Sequence, residues 1–311
     1  MKGGTACPLC DHRGSRPSWV GVVVYEAQEF PYVECEACGT IYCDPMPCDE
    51  LVARMYGPQY AQGAGEGSGE ASAPCGFALE DPKEPQRVAA WLGRLRPGLL
   101  VDYGCREGEL LTEAARLGWR AVGVELDEQV ARVTAERTGL QVVTPGDHAL
   151  TPGCAAVVHL GDVIEHLTKM NEHLSAILRL LRPGGVLLAQ GPLEANANLF
   201  TWALKASRRL RGARRLEMAP LHVLLATSAG QRALFERFGL EEVEYVVHEV
   251  SWPAPNRLST SELGSPRAVA LFTLRRCSQL ASALRPGVWG NRYFYAGVKP
   301  GLGCAPENNH G

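Results

Sequence analysis

Near the N-terminus of this 311-residue chain, CPLC (7–10) and CEAC (35–38) form two C-x-x-C knuckles. Each knuckle brings two thiolates onto one tight turn, and two such turns complete a tetrahedral site. Cys7, Cys10, Cys35 and Cys38 are therefore the expected ligands of a structural zinc ion, with Gly39 suited to the turn after the second knuckle. A thiolate set with no open position holds a small module together without doing chemistry. Cys43 and Cys48 read as ordinary buried thiols, and His12 is spare.

A second constellation starts at LLVDYGCREGELL (99–111). Asp102 closes an apolar run, Gly104 and Gly108 bracket a turn, and Glu125 follows 21 residues after Gly104. An acid at that distance is placed to accept hydrogen bonds from ribose hydroxyls. The loop reads D-x-G-x-x-x-G rather than G-x-G-x-x-G. A carboxylate before the turn repels a pyrophosphate and suits the ammonium and sulfonium of S-adenosylmethionine. Arg106 occupies a position where such loops often carry glycine, and an outward-pointing side chain with ordinary backbone angles is expected there.

Acid–base chemistry is concentrated in GDVIEHL, where Asp162, Glu165 and His166 share one face if the segment turns helically. Three roles fit: His166 as base with Glu165 orienting it, a divalent cation held by Asp162, Glu165 and His166, or bracing of the loop. His222, in APLHVLLA, is a second base or binding candidate, or a satisfied core histidine. WALKASRRLRGARRLE (202–217) holds Lys205, Arg208, Arg209, Arg211, Arg214 and Arg215. A solvated face, a phosphate, an anionic membrane or RNA all fit that run, and among functional partners an anionic or carrier-bound small acceptor is expected.

The elements that must position these groups follow from apolar periodicity. Short buried strands are predicted at 99–103, 120–125, 140–144, 155–160 and 185–191, separated by helices over ELLTEAARLG, DEQVARVTAERTG and MNEHLSAILRLLRPGG. A helix at 228–239, strands at 240–252 and 291–300 as an antiparallel pair, and a helix near 266–284 complete the pattern. Alternating strands and helices argue for a parallel sheet covered on both faces. The expected organisation is a zinc-ribbon module at 1–60, a Gly/Ala/Ser-rich linker or lid at 61–80, and an α/β domain at 81–311. With 46% hydrophobic and 21% charged residues the composition is globular, and a net charge of −3 provides no global field for nucleic acid. Without a signal peptide or a long apolar run, a cytoplasmic protein with no transmembrane segment is expected.

DYGCREG, GVELD, GDVIEHL and LRPGG, in this order, resemble the successive motifs of class I S-adenosylmethionine-dependent methyltransferases over residues 80–300. The resemblance implies a Rossmann-like, seven-stranded sheet of order 3-2-1-4-5-7-6 with the last strand antiparallel. It implies that Asp102, Gly104 and Gly108 border the methionine, with Tyr103 and Cys105 on the same loop, that Glu125 and Leu126 meet the ribose, and that Asp147 and His148 meet the adenine. CEACGTIYCDPMP with YGPQY resembles the ribbon preceding the catalytic domain in methyltransferases acting on sugars, lipids or natural products, where Tyr60 approaches cofactor or substrate. The function so implied is O-methylation of a small molecule with histidine-assisted deprotonation. A ribosomal RNA base methyltransferase is the alternative, weakened because the second knuckle is CEAC rather than C-x-x-x-H and because no N/D-P-P-[YF] follows the fourth strand. An inactive zinc-ribbon interaction protein is the third.

Overall fold

In this computed structural model, residues 5–55, 84–211, 215–250, 258, 260, 262–285 and 287–301 are described. The chain opens with three strands, β1 (Ser15–Tyr25), β2 (Gln28–Cys35) and β3 (Ile41–Cys43). A two-residue turn joins β1 to β2, with Glu26 and Ala27 both at positive φ, the geometry that matches the twist of paired strands. The second knuckle turns at Gly39, φ +73°, before β3 returns along β2. Cys43 is buried as expected, whereas Cys48 is exposed, on the turn that leads into α1 (Asp49–Met55).

After α2 (Glu84–Leu92), strands and helices alternate: β4 (Leu99–Tyr103), α3 (Glu109–Arg116), β5 (Arg120–Val124), α4 (Glu128–Thr138), β6 (Gln141–Val143), β7 (Ala155–Gly161), α5 (Met170–Leu180) and β8 (Leu181–Pro192). Continuous apolar runs such as LLVDY form strands because helices cover both faces of the sheet. α4 begins where Asp127 accepts hydrogen bonds from the Gln129 and Val130 amides and stops at left-handed Gly139. α5 buries Met170, Leu174, Ile177 and Leu178, one helical face. It ends earlier than its sequence pattern suggests, because Pro183 cannot donate within a helix and Gly184 turns at φ +71°. Leu181 accordingly starts β8.

The chain continues through α6 (Leu199–Arg211), β9 (Arg215–Glu217), β10 (Leu224–Leu225), α7 (Ser228–Arg237), β11 (Glu241–His248), α8 (Pro266–Leu284) and β12 (Arg292–Val298). The large sheet runs β6-β5-β4-β7-β8-β12-β11, with β12 antiparallel to both neighbours. This is the predicted order 3-2-1-4-5-7-6.

β9 and β10 do not join that sheet. β9 pairs with β1 and β10 with β3, so the segment after β8 closes both edges of the N-terminal sheet, whose order is β10-β3-β2-β1-β9. One buried apolar cluster runs from Leu9, Tyr32 and Ile41 through Val101 and Leu160 to Phe235. The cysteine-rich module therefore shares its core and its sheet with residues beyond 81.

Candidate functional site

The ends of β4, β5 and β7 meet at the loop 104–108. Gly104 has φ +80°, and a Cβ there would lie 2.7 Å from Val163 Cγ2. Gly108 has φ +72°, and a Cβ would meet Thr138 and Thr134 at 2.8 and 2.9 Å. Both glycines are thus required by backbone angle and by close packing. Arg106 departs from the expected ordinary angles: its φ is +44°, so the loop keeps a glycine-like left-handed turn at a residue that pays about 1–2 kcal/mol for it. Its side chain is exposed, as expected.

Three hydrogen bonds gather at that turn and at Glu125. The Arg106 amide donates to Glu125 Oε2 at 3.0 Å, the Leu126 amide donates to Glu125 Oε1 at 2.8 Å, and Thr134 Oγ1 donates to the Arg106 carbonyl at 2.5 Å. Each Glu125 oxygen keeps a further lone pair for a ribose hydroxyl. Asp102 has a partner that its sequence context does not disclose. It is buried, and its Oδ1 accepts from Nδ1 of His159 on β7 at 2.7 Å. A histidine therefore meets the carboxylate that was expected to face an ammonium. Cys105 is buried, and burial, with Asp102 and Glu125 adding, pushes its thiol up to about 12, so it packs as a neutral group. Tyr103 is half-buried; Asp147 and His148 are exposed after β6, with Asp147 accepting from the Ala149 amide at 2.7 Å. Tyr60 and the linker at 61–80 lie outside the described residues.

The acid–base residues form a separate cluster beside this loop. A single 3-10 turn, Ile164–His166, carries Glu165 and His166. Asp162 does not join them on one face. At φ +52° its carboxylate pairs with the fully buried Arg292 of β12, 2.9 Å away. Glu165 does not orient His166 either, since Oε1 is 3.9 Å from Nε2. The orienting group is the Leu221 carbonyl, which accepts from His166 Nδ1 at 2.9 Å. A carbonyl can only accept, so Nδ1 carries the proton and Nε2 is the basic nitrogen. His222, next along the chain, packs edge-on against His166 with ring centroids 4.8 Å apart.

His222 is held from both ends. Its Nδ1 donates to Glu194 Oε2 at 3.0 Å, and its carbonyl accepts from the Tyr32 hydroxyl of β2 at 2.8 Å. Burial disfavours its charge, but Glu194, then Glu165 and Asp162, outweigh burial and lift it to about 9. Burial, followed by the neighbouring His222, pushes His166 down to about 3, and burial followed by Asp162 pushes Glu165 up to about 8. Burial thus favours the neutral forms of Glu165 and His166, whereas Glu194 favours the imidazolium at His222. The His166 side chain is 22% exposed against 8% for His222 and 5% for Glu165, so it is the member open to a ligand.

Glu194 and Tyr32 escaped the sequence. Glu194 lies just beyond the ligand-facing end of β8, and that position was its only signal; Tyr32 had none. The basic run does not form a single patch either. Arg208 is buried, and Arg215 of β9 pairs with Glu29 of β2. The side chains of Arg209, Arg211 and Arg214 lie outside the described residues.

In the N-terminal module, Cys7 Sγ lies 3.7 Å from Cys38 Sγ, and Cys10 Sγ lies 3.6 Å from Cys35 Sγ, with all four sulfurs within 4.8 Å of one another. A tetrahedron with metal–sulfur bonds of about 2.3 Å has edges of about 3.8 Å. The donor set fits such an ion. The site is tied to His222 through β10: the Cys43 amide donates to the Val223 carbonyl at 2.9 Å, and Thr227 Oγ1 donates to the Cys38 carbonyl at 2.6 Å.

A family model described as a methyltransferase domain matches residues 81–245. No protein of curated function matches the sequence. Among solved structures, the chain is similar to an S-adenosylmethionine-dependent methyltransferase from Archaeoglobus fulgidus, at 17% identity over 70% of this chain and 95% of that one, with a TM-score of 0.44. It is also similar to 1,6-didemethyltoxoflavin-N1-methyltransferase from Burkholderia thailandensis, at 15% identity over 87% of this chain and 96% of that one, with a TM-score of 0.49. At such values the likeness concerns the fold, and the substrates of those proteins carry no weight for this chain.

Proposed function

Because the chain belongs to the methyltransferase-domain family and has the class I fold, we propose that it transfers a methyl group from S-adenosylmethionine to a hydroxyl of a small molecule, with His166 as proton acceptor. The observation that supports this reading is the Leu221 carbonyl at His166 Nδ1, which makes Nε2 the basic nitrogen of the least buried of Glu165, His166 and His222. The methyl–sulfur bond breaks with its electron pair left on sulfur, the oxygen–methyl bond forms, and the hydroxyl proton passes to Nε2. A hydroxyl oxygen that has attacked the methyl becomes a strongly acidic protonated ether. A weak base held in place therefore suffices late in the displacement.

The chain's own residues would hold the cofactor as follows. The turn 104–108 admits the methionine part, and Glu125 presents an acceptor on each oxygen to the ribose. Asp147 and His148 stand at the adenine end. Zinc is the ion proposed for Cys7, Cys10, Cys35 and Cys38, where it would brace the sheet that fixes His222. A divalent cation at Asp162, Glu165 and His166 is disfavoured, because Asp162 is engaged by Arg292.

Titration calorimetry with S-adenosylhomocysteine, together with methyl incorporation from labelled S-adenosylmethionine into a panel of hydroxylated small molecules, tests the proposal. His166→Ala should lower incorporation at least about 100-fold, the low end for general-base catalysis, with cofactor affinity unchanged. Undiminished incorporation, or a strict requirement for added Mg2+, refutes the assignment of His166.

A further inference from the structure

Five of the ten large apolar side chains exposed among the described residues fall on α6, α8 and the segment that follows α8: Trp202, Val269, Leu280, Leu284 and Val288. On α8 the most deeply buried residues are polar. Its buried residues are Arg275, Ser278 and Ser282, while Val269, Arg276, Leu280 and Leu284, spaced i, i+7, i+11 and i+15, form an exposed stripe on the opposite face. The inner polar face is engaged: Ser278 Oγ donates to Glu249 Oε1 at 2.9 Å, and Ser282 Oγ donates to the Trp289 carbonyl at 2.7 Å. A soluble helix normally presents the reverse arrangement.

The charge at this surface is as one-sided as its apolarity. Residues 199–211 and 265–290 contain no Asp or Glu, although the whole chain carries more acids than bases. Exposed Arg267, Arg276 and Arg285 accompany the apolar stripe. Trp202 and Trp289, one from each side of the α6–α8 corner, stack edge to face with centroids 5.2 Å apart. Leucine and tryptophan interspersed with arginine, without acids, are the complement of an anionic lipid surface, where acyl chains take the apolar groups and headgroups take the cations. No helix among the described residues is long and apolar enough to cross a membrane, so any such contact is peripheral.

We propose that the α6–α8 surface docks on an anionic phospholipid bilayer. The surface lies at the ligand-facing end of the large sheet. α6 follows the end of β8, Trp289 precedes β12, and Arg292 pairs in register with Pro192. Docking would hold the end bearing His166 and Glu194 close to the lipid, where an amphiphilic acceptor is available. The binding itself does not depend on the methyl-transfer assignment.

Sedimentation of the full chain with vesicles tests this, comparing phosphatidylcholine alone with phosphatidylcholine containing roughly one third phosphatidylglycerol. Partitioning should be at least about tenfold stronger onto the anionic vesicles and should fall as salt is raised, while tryptophan emission shifts to the blue on binding. Leu280→Glu with Leu284→Glu, both on the exposed stripe, should lower binding at least about tenfold and leave S-adenosylhomocysteine affinity intact. Equal partitioning onto both vesicles, unaltered binding by the double variant, or a wild-type dimer in lipid-free solution that the same substitutions dissociate would each overturn the proposal. The last result would assign the surface to a second copy of the chain.

Discussion

Replacing Glu194 by Gln tests the electrostatic design of the histidine pair. The substitution keeps the shape and a hydrogen-bond acceptor but removes the charge 3.0 Å from His222 Nδ1. In the intact protein His222 is lifted from 6.5 to about 9 against the opposing effect of burial. At about 1.4 kcal/mol per pH unit this corresponds to about 3 kcal/mol favouring the imidazolium. Glu194 is the largest contributor to the lift, so its removal lets burial dominate and His222 turns neutral at pH 7. His166, which His222 pushes down, should then rise. Long-range proton–nitrogen NMR of the imidazoles across the titration range reports both midpoints and both tautomers. The same linkage appears in stability. Because the folded value lies above the unfolded one, the stabilisation is complete below about pH 6.5 and is lost as pH rises through about 9. The stability gap between wild type and Glu194→Gln should therefore be widest at and below pH 6.5 and shrink toward pH 9. A His222 midpoint that stays near 9 in the variant, with a gap independent of pH, refutes the reasoning.

Tyr32→Phe leaves the buried His222 carbonyl without its donor and should cost about 1–3 kcal/mol in urea unfolding. Turnover should fall while S-adenosylhomocysteine affinity holds, and an equal loss of both would show that Tyr32 does not act through His222. Arg106→Gly removes about 1–2 kcal/mol of left-handed strain against about 0.5–1 kcal/mol of added chain entropy. The melting temperature should rise slightly, and a fall would mean that the side chain contributes more than its backbone costs. Cys35→Ser should abolish stoichiometric zinc by elemental analysis and disturb the His222 NMR signals, since β10 and Thr227 hang on the same knuckle. Unperturbed His222 signals in the zinc-free protein would break that link.

The strands and turns of the large sheet were legible because their causes are local. LLVDY, RAVGV and AAVVHL are each built on an uninterrupted apolar run, as suits strands covered on both faces, and Asp127 and Gly139 mark the ends of α4 through cap chemistry that involves only neighbouring residues. The same holds for the two cysteine knuckles and for Glu125 after Gly104. The end of α5 was misjudged because a helical apolar pattern continued into Leu181, where the proline and glycine that follow forced a strand. The short strands β9 and β10 were illegible, since their pairing depends on open edges supplied by β1 and β3 far away in sequence.

The sequence by itself thus determined the strands, the two cysteine knuckles and the glycine turn with Glu125 beyond it, because periodicity and turn chemistry act over a few residues, while the sheet order was implied by the family resemblance. Tertiary structure alone decided that His159 engages Asp102, that Asp162 turns to Arg292, and that Tyr32, 190 positions from His222, holds its carbonyl. It also set the opposite pKa shifts of His166 and His222. Proton affinity depends on burial and on the summed field of every nearby charge, and those are properties of the assembled core that no short segment carries.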